Sequence, residues 1–229
     1  MKSQNIRQLF TSIAPRYDLL NHLLSFNIDR LWRRKLVKLS HVNGSEIILD
    51  LCTGTGDIAI EFAAKRNMVI GLDYSRKMLS IAREKIKKKR LDGKIHLIEA
   101  DATKLPLKSN FFHVVTIGFG LRNIESKEKA LKEMYRVLKQ KGKCLILEFV
   151  PPQKNLWGKI YNFYLTKMVP LIGTLISGKK HSYNYLSNSV KGFYKPEKIM
   201  NFLESVGFTN IKMHRLTSGI VYIFIGEKG

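Results

Sequence analysis

The sequence predicts an α/β fold built on a doubly wound, mainly parallel sheet. Two observations carry this. From residue 46 onward, apolar β-branched runs alternate with helical patterns, which is the mark of βαβ units. The first run, Ile47-Ile48-Leu49-Asp50-Leu51, leads into the glycine turn Cys52-Thr53-Gly54-Thr55-Gly56-Asp57 and then into helix formers, Ile58 to Ala63. In open α/β sheets ligands bind beyond the carboxyl ends of the strands, and glycine lets the backbone approach a ligand closely. The turn, with Gly54 and Gly56, is therefore the expected binding loop for a nucleotide-like cofactor.

The elements follow in order. Residues 6–40 are expected to be helical. Ile6, Leu9, Phe10 and Ile13 keep helical spacing up to Pro15, and Leu19, Leu20, Leu23 and Leu24 form a second apolar face. A third segment, Asp29 to Leu39, carries Trp32 among basic residues. Strands are expected at 46–51, 68–73, 95–100, 112–118 and 143–149, with helices at 57–66, 75–91 and 126–139 between them. Pro151-Pro152 punctuates the end of the fifth strand. Residues 156–188 form an aromatic, basic, amphipathic insertion broken by Pro170 and Gly173. A helix at 196–206 and strands at 209–215 and 219–226 close the chain. This gives one domain, 1–229, in four parts: N-terminal helices (1–42), a cofactor-binding core (43–152), the insertion (153–195) and a C-terminal helix with strands (196–229).

Forty Lys and Arg against eighteen Asp and Glu give a net charge of +22 and a pI near 10.0. Such a balance favours anionic partners, although the lysines are spread along the chain and fit a general use of Lys at polar positions equally well. The run Lys85 to Arg90 is expected to be the solvated C-terminal turn of a helix. The two cysteines, Cys52 and Cys144, sit in apolar contexts and are expected to be buried, reduced thiols. No Cys-x-x-Cys or paired-His spacing suggests a metal site. The N-terminus lacks an apolar signal core, and no run reaches the roughly 20 apolar residues of a membrane span. A cytoplasmic protein is expected, touching a membrane only at its surface.

Gly54 to Ala59 also fits the loose dinucleotide pattern G-x-G-x-x-G/A. Asp57 argues against a dinucleotide, because a pyrophosphate at a helix N-terminus gains nothing from an added carboxylate. A cationic ligand tolerates it. The second strand ends in Asp73, placed to accept ribose hydroxyls, and the third in Asp101-Ala102, placed for the adenine amino group. Leu105-Pro106-Leu107 can cover the ring. A glycine loop followed by two acids, in this order, lays out one adenosyl ligand with a positive centre: S-adenosylmethionine.

This pattern resembles the class I adenosylmethionine-dependent methyltransferases, with their Rossmann-like sheet. Seven further blocks narrow the resemblance. They are Phe10-Thr-Ser-Ile-Ala-Pro-Arg-Tyr-Asp18, Leu31-Trp-Arg-Arg34, Gly118-Phe-Gly-Leu-Arg-Asn123, Met134-Tyr-Arg-Val-Leu-Lys139, Leu147-Glu-Phe149, Tyr183-Asn-Tyr-Leu186 and Gly207-Phe208. In order, over nearly the whole chain, they are similar to the ubiquinone/menaquinone-biosynthesis C-methyltransferases. The resemblance implies carbon methylation of a prenylated quinol, in the simplest case demethylmenaquinol to menaquinol, with a ubiquinone-pathway benzoquinol as the alternative. It implies cofactor contacts at Thr55, Asp73, Asp101 and Ala102, and at Gly118, where the family usually has Ser. Tyr17 and Asp18 would come from a helical lid over the cofactor.

A ring carbon becomes nucleophilic when a neighbouring hydroxyl is ionised, and an unperturbed phenol has a pKa of about 10. Arg122 is the candidate to stabilise the oxyanion, and Asn123 to orient the hydroxyl or a water. Water or His181 would take the proton. The competing reading makes the pair a loop salt bridge and a helix cap. Tyr183, Tyr185 and residues 156–178 could line a channel for the prenyl tail, or simply form the core of the insertion. The basic, aromatic stretch 154–180 is the candidate for contact with an anionic membrane surface. An RNA methyltransferase would suit the charge, but the greasy insertion and the lack of an Asn/Asp-Pro-Pro-Tyr/Phe motif disfavour it, so no nucleic acid is expected. A non-catalytic binding module is the remaining rival. Oligomeric state is left open.

Overall fold

The computed structural model describes residues 2–177 and 180–229, with side chains described over 6–175 and 184–229. Its strands are β1 (Ile47–Leu51), β2 (Met68–Asp73), β3 (Ile95–Glu99), β4 (Phe112–Gly118), β5 (Leu138–Phe149), β6 (Phe208–Leu216) and β7 (Val221–Lys228). They form one sheet in the order β3-β2-β1-β4-β5-β7-β6. The first five are parallel, and β7 runs antiparallel to β5 and β6. The sheet order reverses between β1 and β4, and at such a switch point the chain leaves both strand tips in opposite directions and opens a crevice. β6 and β7 are antiparallel because one short turn, Thr217–Gly219, joins them.

Neighbouring residues on a strand enter opposite cores, as a period of two requires. Leu49, Val115 and Phe224 pack on one face with Leu131, Met134 and Leu203. These come from α6 (Lys127–Val137) and α10 (Pro196–Val206). Ile48, Val114 and Ile223 pack on the other with Trp32, Leu36 and Phe62. Behind that face lie α3 (Ile28–Ser40), α4 (Asp57–Ala63) and α5 (Arg76–Lys88).

The expected elements are present, with two instructive differences. The fifth strand begins at Leu138, directly after α6, and not at 143. Leu138 pairs with Phe112, and the register then shifts before Val114 meets Lys143. The polar stretch Lys139 to Lys141 gives no alternation that would betray this irregular start. Secondly, Pro170 and Gly173 do not break the insertion. α7 (Leu156–Phe163) runs through a π-helical turn, Tyr164–Met168, into α8 (Val169–Ser177), and α9 (Lys180–Lys191) follows. Pro170 stands in the first turn of α8, where its missing N–H is tolerated. The wider turn lies just upstream of it. At the N-terminus, α1 (Lys2–Ile13) and α2 (Tyr17–Leu24) are joined by a 3₁₀ turn that holds Pro15.

Candidate active site

The tips of β1, β2, β3 and β4 surround a cavity of about 410 Å³. Gly54, Asp73, Asp101, Ala102, Gly118 and Asn123 all line it, and Tyr17 closes it from the N-terminal helices. Asp73 accepts the Gly54 N–H at 2.9 Å and the Ser75 N–H at 2.8 Å. Burial still pushes its pKa up. Asp101 takes the Thr103 N–H and hydroxyl on one oxygen, both at 2.8 Å, which leaves its second oxygen for a ligand donor. Burial raises the Cys52 thiol well above its ordinary range, reinforced by the negative charges of Asp73, Asp50, Glu148 and Asp101. Cys52 lines the same cavity. Asp73 and Asp101 put carboxyl groups on the cavity wall, which suits a ligand that carries positive charge. By size and charge these residues fit S-adenosylmethionine.

Thr55 and Gly56 lie behind the loop, off the cavity wall. The Thr55 hydroxyl donates to Asp18 at 2.5 Å, and Gly56 starts α4 with a left-handed φ of 85°. Its Cβ position faces Ala82 of α5 at 3.3 Å, so a side chain would wedge two helices apart. Asp57 also points away from the cavity. It pairs with Lys85 and lies 3.6 Å from Arg33. The sequence argument that its bare charge would repel a pyrophosphate therefore fails, because two cations neutralise it. Lys85 is likewise half-buried and ion-paired, with Asp57 and with Asp18 at 2.7 Å, so the basic run 85–90 is not wholly solvated. At Gly118 an added Cβ would meet Ile58 Cδ1 at 2.2 Å. The space for the family's usual hydroxyl is taken by isoleucine.

The N-terminal helices cover the cavity. Ile6, Arg7 and Phe10 of α1 line it. Arg7 reaches Glu99 at 2.6 Å and lies 4.8 Å over the Tyr74 ring, while the Thr11 and Ser75 hydroxyls share a hydrogen bond of 3.2 Å. Asp18 ties the start of α2 to Thr55 and Lys85. Beneath the loop, Asp50 accepts the Thr53 hydroxyl at 2.6 Å. Burial pushes its pKa up to about 7.

A second cavity, of about 220 Å³, lies between the N-terminal helices and the insertion. Leu24, Trp32, Phe149, Leu165, Val169 and Leu186 give it an apolar wall. Tyr17 and Phe119 border both cavities. Arg122 lines the second cavity and not the first, whereas its neighbour Asn123 lines the first. Arg122 donates from Nη1 to Glu148 Oε1 at 2.5 Å and to the Phe119 carbonyl at 2.7 Å, and its N–H reaches Glu148 Oε2 at 3.2 Å. The loop salt bridge weighed against its catalytic role is thus present. The helix cap is not: Ser126 occupies the N-cap of α6. Asn123 donates to the Phe119 carbonyl at 3.3 Å and accepts from the Tyr185 hydroxyl at 3.1 Å. Tyr185 borders a smaller pocket beside Arg122, not the apolar cavity. The side chains of His181 and Tyr183 lie outside the described residues.

Sequence reading passed over Glu148. Its signal was available: a carboxylate inside the apolar run Leu145-Ile146-Leu147-Glu148-Phe149, fully buried here, demands a cationic partner. Phe119, which also borders the apolar cavity, gave no such signal, because an aromatic in an apolar stretch reads as core; Tyr161, on the same cavity, falls within the 156–178 stretch expected as a candidate tail channel.

A family profile described as the ubiE/COQ5 methyltransferase family matches residues 1–228. A ubiquinone/menaquinone biosynthesis C-methyltransferase UbiE of Geotalea uraniireducens is 41% identical over 230 residues, covering 99% of this chain and 97% of that protein. A demethylmenaquinone methyltransferase of Thermus thermophilus is 43% identical over 222 residues, covering 96% and 100%. Among solved structures, a SAM-dependent methyltransferase of Thermotoga maritima, described as a possible histamine N-methyltransferase, superposes with a TM-score of 0.71 at 19% identity. That match covers 98% of this chain and 100% of the other.

Proposed function

Since the chain belongs to the ubiE/COQ5 methyltransferase family and is an S-adenosylmethionine-dependent methyltransferase, we propose that it methylates a ring carbon of a prenylated quinol, converting demethylmenaquinol to menaquinol. The observation that carries this reading is the meeting of two unlike cavities at Tyr17, Phe119, Arg122 and Asn123. One carries the strand-tip carboxylates Asp73 and Asp101 and is the more polar; the other has the more apolar wall. A donor with a cationic centre and an acceptor with a long hydrocarbon tail need such a pair.

Asp73, Asp101 and the Gly54 loop hold S-adenosylmethionine in this reading, with Ala102 and Gly118 against it and Tyr17 above. Thr55 contributes by holding Asp18 and the lid. Bound there, the cofactor supplies a methyl group on a cationic sulfur. Arg122 brings a guanidinium group that stabilises the ring oxyanion, which makes the neighbouring carbon nucleophilic. Asn123, held by Tyr185 and the Phe119 carbonyl, orients that ring oxygen, and its proton leaves to water. Orientation between the two cavities supplies most of the acceleration. The tail lies along Leu165, Val169 and Leu186, where each buried methylene contributes about 0.8 kcal/mol.

The same reading places the protein against an anionic bilayer. Large exposed apolar side chains gather mainly on two adjoining stretches, including Leu19, Leu23 and Phe26 on one and Trp157, Phe163 and Leu175 on the other. Basic residues, Arg30, Lys154, Lys159 and Lys167 among them, lie in or beside both. Phe26, 74% exposed, stands at the edge of the apolar cavity, where a lipid would enter. No helix among the described residues is long and apolar enough to cross a membrane.

Methyl-labelled S-adenosylmethionine with a panel of prenylated naphthoquinols and benzoquinols tests the reaction. Label on a naphthoquinol ring carbon is expected. Label on the benzoquinol alone would move the substrate to the ubiquinone pathway, and label on RNA but neither quinol would refute the reading. Co-sedimentation at low salt should favour anionic over neutral vesicles; equal binding would remove the bilayer.

A further inference from the structure

Two buried polar groups, on side chains of residues that line the apolar cavity, have no partner among the described residues: the Tyr161 hydroxyl and Arg122 Nε. Tyr161, on α7, is only 8% exposed, and the Arg122 side chain only 5%. Both line the cavity. Other polar side chains around it are engaged. The Tyr164 hydroxyl donates to the Leu24 carbonyl at 2.6 Å, Trp32 Nε1 to Thr217 at 2.8 Å, and the Ser25 hydroxyl to Asp29 at 2.7 Å. Arg33 pairs with Asp29 as well. A buried donor without an acceptor is costly and rare. Two of them in one apolar cavity mark the place where a ligand must bring oxygen atoms.

The ligand needs two acceptors on a flat, otherwise apolar body. The aromatic neighbours Phe119, Phe149 and Trp32 supply its walls. Tyr161 remains a donor at working pH, because burial holds its phenol far above neutrality. Tyr161 and Arg122 border the same cavity, and the guanidinium charge acts on the phenol. The π-helical turn Tyr164–Met168 follows α7, the helix that carries Tyr161, and such turns are frequent at functional sites.

Resting on the quinol reading above, we propose that Tyr161 is a substrate-specificity residue: its hydroxyl holds the ring oxygen remote from the methylated carbon, while Arg122 Nε–H holds the oxygen beside it. The site then demands a ring with two oxygens, and a ring with one leaves Tyr161 buried and unpaired. Discrimination of this kind is large because it falls on a donor that has no other partner.

The test compares wild type with Tyr161→Phe on two short-prenyl naphthalene substrates. One is the hydroquinone; the other is the naphthol that lacks the remote oxygen. Intrinsic reactivity cancels in the ratio of ratios. The Tyr161→Phe change should lower kcat/KM at least tenfold on the hydroquinone and less than threefold on the naphthol. A thermal melt without ligand separates this from a structural role: removing an unpartnered hydroxyl should leave the melting temperature equal or higher. Equal losses on both substrates, no loss on either, or a lower melting temperature would each overturn the proposal. Failure of wild type to methylate either ring would overturn the quinol reading itself, and this proposal with it.

Discussion

The two cavities were built by different means. The floor of the cofactor cavity is made by strand tips, so its residues sit at the ends of apolar runs: Gly54 after β1, Asp73 at the end of β2, Asp101 and Ala102 after β3, Gly118 at the end of β4. The sheet alone brings them together. The apolar one is made by helices from two distant stretches, residues 17–33 and 161–190, closed against Phe119 and Phe149. No local motif records that meeting. The lesson is that a cofactor site of this fold is written in sequence order, whereas the acceptor site depends on tertiary packing. The two should accordingly fail separately when mutated.

The largest effect is expected where the cavities meet. Arg122→Ala should leave S-adenosylmethionine affinity within about threefold and cut turnover by roughly 10²–10³. It also strands Glu148, a buried charge, at about 3–5 kcal/mol of stability. The double change Arg122→Ala with Glu148→Gln should recover most of the melting temperature and none of the turnover. Recovered turnover would reduce Arg122 to a structural ion pair and erase the boundary between the cavities.

Next comes the polar side alone. Asp73→Asn should weaken S-adenosylmethionine binding by roughly 10- to 100-fold, in line with about 1.5–3 kcal/mol for a hydrogen bond to a charged group. The quinol KM should hold when the cofactor is saturating. Isothermal titration and steady-state kinetics read the two. A quinol KM that rises with the cofactor Kd would show that the cavities are not separable.

Legibility followed the same division. Strand positions, the loop and the two acids were readable because burial on both faces writes continuous β-branched runs, and turn glycines punctuate them. Three features were not. Asp57 looked like a bare charge because its partners, Lys85 and Arg33, lie 28 and 24 residues away on other helices. Thr55 gave no sign that its hydroxyl would be held by Asp18, 37 residues away. Tyr161 fell within the 156–178 stretch offered as a tail channel, but nothing local distinguishes a packed ring from one whose hydroxyl lacks a partner.

The remaining prediction concerns pH and reads stability, not turnover. Asp50, under the loop, keeps its proton up to about pH 7 in the folded chain, against about 3.9 for an unfolded Asp. A raised folded pKa adds stability that is complete below about pH 4 and is lost as pH rises through 7, with a slope of at most about 1.4 kcal/mol per pH unit. Asp50→Asn mimics the neutral acid and lacks this dependence. The melting temperature of wild type minus that of Asp50→Asn should therefore fall between pH 4 and 7. Parallel curves would contradict the buried, neutral carboxyl.

The separation of the two cavities is tested most directly by filling one. Val169→Phe puts a ring into the apolar cavity, at a residue that does not line the other one. Titration of S-adenosylmethionine should give a Kd within threefold of wild type, while kcat/KM for a prenylated naphthoquinol falls at least tenfold. A cofactor affinity that drops in step, or an unchanged kcat/KM, would mean that the apolar cavity is not where the acceptor binds.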